Sequence, residues 1–342
     1  MVKFSRPSIK RADMDSVLSR MLSDELHPGT TNREFVKSLA ATLGLQGGFA
    51  FGEYTRSVEV ALRALELEPG ATVVLSPLAP GVYATVLSEL GLTPRFVDVS
   101  EAAPVITASK LADLAVGADA VILDTTLGFI PDYDALPELE IPIVEDITSG
   151  IGGYVGESPA GSAGRFLVTS LGHEGVITAG GGGAVICRNT RDKAILTNVV
   201  DGFPPDILLS DMNAALGLTQ LRQLEHFLSR RREIAGVLVR ALQRSRHRIP
   251  AQPGDGENVW MTLPVLVDGS VAEVQQYAKK HGVSTQPAFD LGEIENRLEA
   301  AQGEGSYPEA RRFAMRTLRF PIYPMLPNKE IDQLKRVLST LP

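Results

Sequence analysis

Between residues 57 and 188 the chain alternates short apolar runs with amphipathic stretches, and this constrains the fold more than any other feature. Residues 57–67 carry a helical pattern closed by Glu68, Pro69 and Gly70, and residues 72–76 read as a short buried strand. A helix over 82–90, a strand over 95–99, a helix over 111–115 and strands over 120–123 and 143–145 follow. Residues 166–170 and 183–188 extend the series, with a glycine-dense turn at 180–183 between them. Strands separated by helices at this spacing predict a mostly parallel sheet with helices on both faces, an α/β architecture. Helical patterns at 14–21 and 32–43 precede it.

A long amphipathic pattern covers 210–244, with Leu216, Leu221, Leu224, Phe227 and Leu228 on its apolar face. Its Arg230, Arg231 and Arg232 read as a solvated helix face. A change of domain is expected near residue 235, giving a large domain over 1–235 and a smaller α+β domain over 236–342. The second contains a strand pattern at 260–267 and helices at 271–281 and 328–338.

With 342 residues there is chain enough for two domains. Lys+Arg 33 against Asp+Glu 41 leaves a net charge of −8, which argues against a broad nucleic-acid-binding face. The single cysteine, Cys187, excludes an intrachain disulfide framework and a cysteine-based zinc cluster. His27, His226, His247 and His281 lack metal-ligand spacing, so no metal site is expected. Gly180 to Gly183 has no following lysine of the phosphate-loop type, and Asp132 and Asp134 read as turn caps. The apolar runs are too short to cross a bilayer and the first residues have no signal-peptide pattern, so a cytoplasmic protein is expected.

The segment LLSDMNAALGLTQLRQLEHFLSRRR, residues 208–232, closely resembles a helical stretch of the DegT/DnrJ/StrS family. These are sugar aminotransferases and dehydratases of pyridoxal-phosphate (PLP) fold type I, the aspartate-aminotransferase type. Further fragments match in the same order across nearly the whole chain: Pro28-Gly29 with Glu34-Phe35, residues 61–65 with 68–70, 95–98, 144–146, Ser170 with 177–185, and 320–326. The resemblance implies that fold, a homodimer with its cleft between two large domains, and a cofactor used as an electron sink.

Position by position, the resemblance assigns roles. Asp146, at the end of a strand, matches the carboxylate that holds the pyridine nitrogen. Glu53, Tyr54 and Thr55 stand where the family has the Ser-Gly-Thr of its phosphate cup, leaving Thr55 with a suitable hydroxyl, and Ser170 supplies a second. Gly81 falls at the stacking aromatic position, with Tyr83 two residues later as the aromatic candidate. Ser149 stands where the family has a glutamine, and Pro204 to Ile207 where it has an asparagine-arginine pair. The family loop Ser-Phe-His-x-x-Lys reads Ser170-Leu171-Gly172-His173-Glu174-Gly175 here, so Gly175 takes the place of the Schiff-base lysine, and the chain's lysines all lie elsewhere. Glycine neither carries an aldehyde nor shuttles a proton.

Three readings remain open at this level. The first is a degenerate, non-transaminating member that keeps the fold and binds a nucleotide-sugar-like ligand or a partner. The second is a lysine-independent enzyme of the dehydratase type, holding PLP or pyridoxamine phosphate (PMP) non-covalently through Asp146, Thr55 and Ser170, with His173 or Glu174 as base. The third is a cleft repurposed for another chemistry.

Overall fold

The structure is a computed structural model that describes residues 1–23, 26–136, 139–301 and 306–342, without the side chains of 113–115. Two helices, α1 (Arg11–Leu22) and α2 (Thr30–Thr42), precede the first strand. The sheet-forming part then runs β1 (Gly47–Phe51), α3 (Tyr54–Arg63), β2 (Thr72–Leu75), α4 (Gly81–Glu89), β3 (Thr93–Phe96), α5 (Ala108–Ala115), β4 (Ala120–Asp124) and β5 (Ile143–Asp146). A small hairpin of β6 (Tyr154–Val155) and β7 (Ser158–Pro159) leads to β8 (Phe166–Ser170), β9 (Gly183–Cys187) and α6 (Thr190–Val200).

These strands form a seven-stranded sheet in the order β1-β9-β8-β5-β4-β2-β3. Pairing is parallel from β3 to β8, while β9 runs antiparallel to both β8 and β1. The interior strand β4 is buried at every position, as a parallel strand covered on both faces must be. The expected α/β class and mostly parallel sheet are therefore observed. β1 was not foreseen, because two glycines open it and hide the strand pattern.

The 210–244 pattern is two helices, α7 (Asp211–Leu221) and α8 (Leu224–Leu242), parted at Arg222 and Gln223. Buried Asp211, at the head of α7, accepts backbone N–H bonds from Gly29 (2.7 Å), Thr31 (3.0 Å) and Asn32 (2.8 Å). It thereby supplies the carboxylate cap that the N-terminus of α2 lacks in its own sequence. α8 spans two cores: Phe227 and Leu228 pack with the large sheet, and Ile234, Leu238 and Leu242 with a second one. Arg231 on the same helix is only 4% exposed, which corrects its reading as part of a solvated face.

The second sheet joins β10 (Leu263–Leu266), β11 (Gln286–Pro287) and β12 (Thr317–Phe320) in the order β10-β12-β11. It packs with α9 (Val271–Lys280) and α12 (Asn328–Leu338). Between β11 and β12 lie α10 (Leu291–Ala300) and α11 (Pro308–Arg316), whose Ile294, Leu298, Ala310 and Phe313 join the large core instead. That return packing brings α10 over the carboxyl ends of the large sheet. Among the described residues no helix is long and apolar enough to cross a membrane.

Candidate functional site

Strand alternation sends the two adjacent carboxylates of β5 to opposite faces. Glu145 is buried and ties down the 161–164 turn, accepting N–H bonds from Gly161 (2.9 Å), Ala163 (3.1 Å) and Gly164 (2.9 Å) and the Tyr133 hydroxyl. Its role is structural. Asp146 sits at the carboxyl end of β5, 2% exposed, where open α/β sheets place their ligands. Both its oxygens are engaged. Oδ1 accepts the backbone N–H of Thr148 at 2.9 Å. Oδ2 accepts two phenol hydroxyls, those of Tyr83 at 3.0 Å and of Tyr54.

Tyr54 reaches Asp146 because α3 starts beside β9. The site of a Cβ on Gly183 is 3.0 Å from the Tyr54 Cα and 2.5 Å from the Ser57 hydroxyl, so only glycine permits that approach. Tyr83, on α4, is fully buried. Burial first, and the Asp146 charge second, hold both phenols well above their usual titration range, so they stay protonated donors. Burial also raises the Asp146 carboxyl, against the hydrogen bonds from Thr148, Tyr54 and Tyr83.

Next to this cluster lies a cavity of about 280 Å³ between the strand ends and α10. Asp124 lines it from the end of β4, directly across from Asp146 in the parallel register. Asp124 accepts the Thr126 hydroxyl, and burial pushes its carboxyl up to about 7, with nearby Asp146 adding and Arg297 opposing. Arg297 of α10 donates to the Ala79 carbonyl at 2.8 Å, and Arg319 donates to Gln286 at 2.9 Å with Glu174 at 3.9 Å. Asp124, Arg297 and Arg319 were not foreseen. For Asp124 the available signal was its place at the end of an apolar strand one step from that of Asp146.

Of the residues singled out in the sequence, Gly81, Asp146 and Ser149 line this cavity, and Tyr83 touches Asp146 through its hydroxyl. Ser170, at the end of β8, is one link away: its N–H donates to Thr148 Oγ1 at 2.8 Å, and its own hydroxyl accepts the Gly172 N–H. Thr55 is half-buried in the first turn of α3 and does not line the cavity. His173 and Glu174 lie elsewhere. The His173 side chain is 71% exposed, Glu174 is 3.8 Å from it, and both line a separate small pocket beneath the amino-terminal segment.

Gly175 closes a turn onto Gly172. A Cβ there would lie 2.7 Å from the Ile177 carbonyl oxygen and 3.3 Å from that of Gly172, so the loop has no room for a side chain. Among the described residues no lysine lines the cavity, and no cluster of three His, Cys, Asp or Glu side chains could hold a metal.

The model of the DegT/DnrJ/EryC1/StrS aminotransferase family matches residues 7–340. The spore coat polysaccharide biosynthesis protein SpsC of Bacillus subtilis is 25% identical over 97% of this chain and 94% of its own. The aminotransferase TlmJ from Streptoalloteichus hindustanus superposes with a TM-score of 0.90 at 24% identity, covering 99% of this chain and 98% of TlmJ. A variant of GDP-4-keto-6-deoxymannose-3-dehydratase (ColD) with bound GDP-perosamine superposes with a TM-score of 0.87 at 16% identity, covering 99% and 100%. The fold is that of the PLP-dependent aminotransferases, type I.

Proposed function

We propose that this chain, which belongs to the DegT/DnrJ/EryC1/StrS aminotransferase family, is a non-transaminating member whose cofactor place is filled by its own tyrosines. One observation carries the reading: the Asp146 oxygen that would accept a pyridinium N–H already accepts two phenols, Tyr54 and Tyr83. A carboxylate oxygen offers two lone pairs in its plane, and both are used. A pyridine ring therefore reaches this oxygen of Asp146 only by displacing a phenol. Displacing one strands its hydroxyl, and for fully buried Tyr83 disturbs the core as well.

Two further features support the reading. Gly175 stands where the resemblance puts the Schiff-base lysine, and its loop is closed against any side chain. Glu53, the exposed residue before α3, brings a negative charge to the helix start that would have to receive a phosphate dianion.

What remains is a cavity under α10 with a mainly apolar lining into which Asp124, Thr125, Thr126, Ser149 and Arg297 bring polar groups, in a fold whose relatives include a dehydratase seen with a nucleotide sugar. In this reading the cavity takes a nucleotide-sugar-like ligand without PLP chemistry. His173 and Glu174 serve no base function in it. The same reading has the chain dividing near residue 235, pairing as a homodimer and working in the cytoplasm.

The test is an absorbance spectrum of the purified protein after mixing with PLP or PMP and desalting, followed by borohydride and intact mass. No retained chromophore is the expected result. A retained chromophore without a fixed adduct would replace this reading with the lysine-independent one. An adduct on any lysine would overturn the assignment of the 170–183 loop.

A further inference from the structure

We propose that the cavity under α10 holds the primary ammonium group of an aminated sugar, ion-paired to Asp124, so that the ligand arrives with its amine already in place. The ligand is the nucleotide-sugar-like one of the reading above, on which this rests, and its sugar end is the one that enters. Asp124 is 8% exposed at the end of β4 and lines the cavity. Its Oδ2 accepts the Thr126 hydroxyl, while its Oδ1 accepts from no other described residue. Oδ1 is not occluded, as orphaned atoms such as the Ser57 hydroxyl are, and so it opens to the cavity.

The charge of the wall selects the ligand group. Asp124 and Asp146 line the cavity from the strand ends, and Asp290 and Glu293 from the head and first turn of α10. Against these carboxyls stand two guanidiniums, those of Arg297 on α10 and Arg319 on β12. Neither closes on Asp124. Arg297 donates to the Ala79 carbonyl at 2.8 Å and has Glu293 at 3.9 Å, while Arg319 is drawn to Gln286 and Glu174. A diphosphate entering here meets an excess of negative charge, whereas a cation is what such a wall attracts.

Asp124 and Asp146 are register partners on adjacent parallel strands, which run about 4.8 Å apart, and both face the cavity. Asp146 already accepts from Thr148, Tyr54 and Tyr83, so Asp124 is the member with an oxygen free of partners. Burial, with the Asp146 charge adding, sets the Asp124 carboxyl at about 7. It ionises readily once a cation arrives, because neither charge is then buried alone. The Ser149 hydroxyl, in the same lining, offers the ammonium a second acceptor. At about 280 Å³ the cavity is at the low end for small-ligand sites, which suits one sugar ring, and Phe289 and Leu127 supply apolar wall for its C–H face.

A chain with Gly175 in place of the Schiff-base lysine does not install that amine. The reaction that supplies the ligand is a transamination on another enzyme, keto sugar and amino acid giving amino sugar and keto acid.

Isothermal titration of the full chain with matched sugar nucleotides tests the proposal: UDP-glucosamine against UDP-glucose, and GDP-perosamine against GDP-rhamnose, each pair exchanging only ammonium for hydroxyl. At pH 7 the amine member of at least one pair is expected to bind about tenfold tighter or more. Its affinity should rise about fivefold from pH 6 to pH 7 as Asp124 ionises, with the hydroxyl member changing less. Asp124→Asn should abolish both the preference and the pH dependence. Equal affinities within both pairs, a preference that Asp124→Asn keeps, or a preference flat across pH 6 to 7 would overturn the proposal alone. Binding of none of the four would overturn it together with the reading on which it rests. If Asp124→Asn fails to fold, the paired affinities and their pH dependence in the wild type still decide.

Discussion

Asp124 offers the sharpest perturbation, because its environment sets a pH window. It is 8% exposed, accepts the Thr126 hydroxyl, and faces Asp146 across the β4–β5 register. Burial raises its carboxyl from 3.8 to about 7. A carboxyl harder to ionise in the folded than in the unfolded chain makes the folded state the better proton binder. Its contribution to stability is full below about pH 4 and is lost as pH rises through about 7. At about 1.36 kcal/mol per pH unit of difference, the whole loss is about 4 kcal/mol, of which roughly 2–3 kcal/mol falls between pH 5 and 8. Asp124→Asn keeps an acceptor for Thr126 and removes the titration. Asp146 is coupled to Asp124, and it too ionises more easily once its neighbour is neutral, so the difference is not diminished. Urea unfolding followed by circular dichroism at pH 5 and pH 8 measures it. The wild type should lose roughly 2–3 kcal/mol more than the variant over that interval. Equal losses in the two proteins would show that Asp124 is not held protonated by burial, and would refute the reasoning.

Other substitutions follow from single contacts. Tyr83→Phe removes a donor from a buried carboxylate and should lower the unfolding free energy by about 1.5–3 kcal/mol, read from urea midpoints. Arg297→Gln removes a cation that favours ionised Asp124, so the stability loss between pH 5 and 8 should grow in the same titration. Gly183→Ala drives a methyl into the Ser57 hydroxyl and the Tyr54 backbone; a drop of about 1–3 kcal/mol is expected in thermal or urea unfolding. Asp211→Ala strips three N–H partners from the start of α2 and should cost about 2 kcal/mol or more, with the loss visible first as hydrogen exchange at residues 29–32.

The sequence by itself determined the architecture and one anchor of the site. Runs such as 120–123 are apolar at every position, which suits only a strand covered on both faces, and the intervening helices dictate parallel crossovers. Asp146 was legible through the family resemblance, which matches it to the ring-nitrogen carboxylate at the end of a strand, where ligands gather. Boundaries were less so: the break at Arg222 and Gln223 leaves the apolar period of α7 and α8 nearly in phase, and the glycines of β1 carry no pattern.

Only the tertiary structure decided what Asp146 faces. Tyr54 and Tyr83 lie on different helices, and their convergence on one oxygen depends on how closely α3 approaches β9 and α4 covers the strand ends. The state of Asp124 likewise depends on α10 returning from the second sheet to bury it and to set Arg297 beside it. The same holds for Arg231, which is one of three consecutive arginines in the sequence yet alone points inward, because α8 is wedged between two cores. Periodicity along the chain fixes which face of an element is apolar. It carries no information on which polar groups from distant elements meet there, and in this protein those meetings set the chemistry.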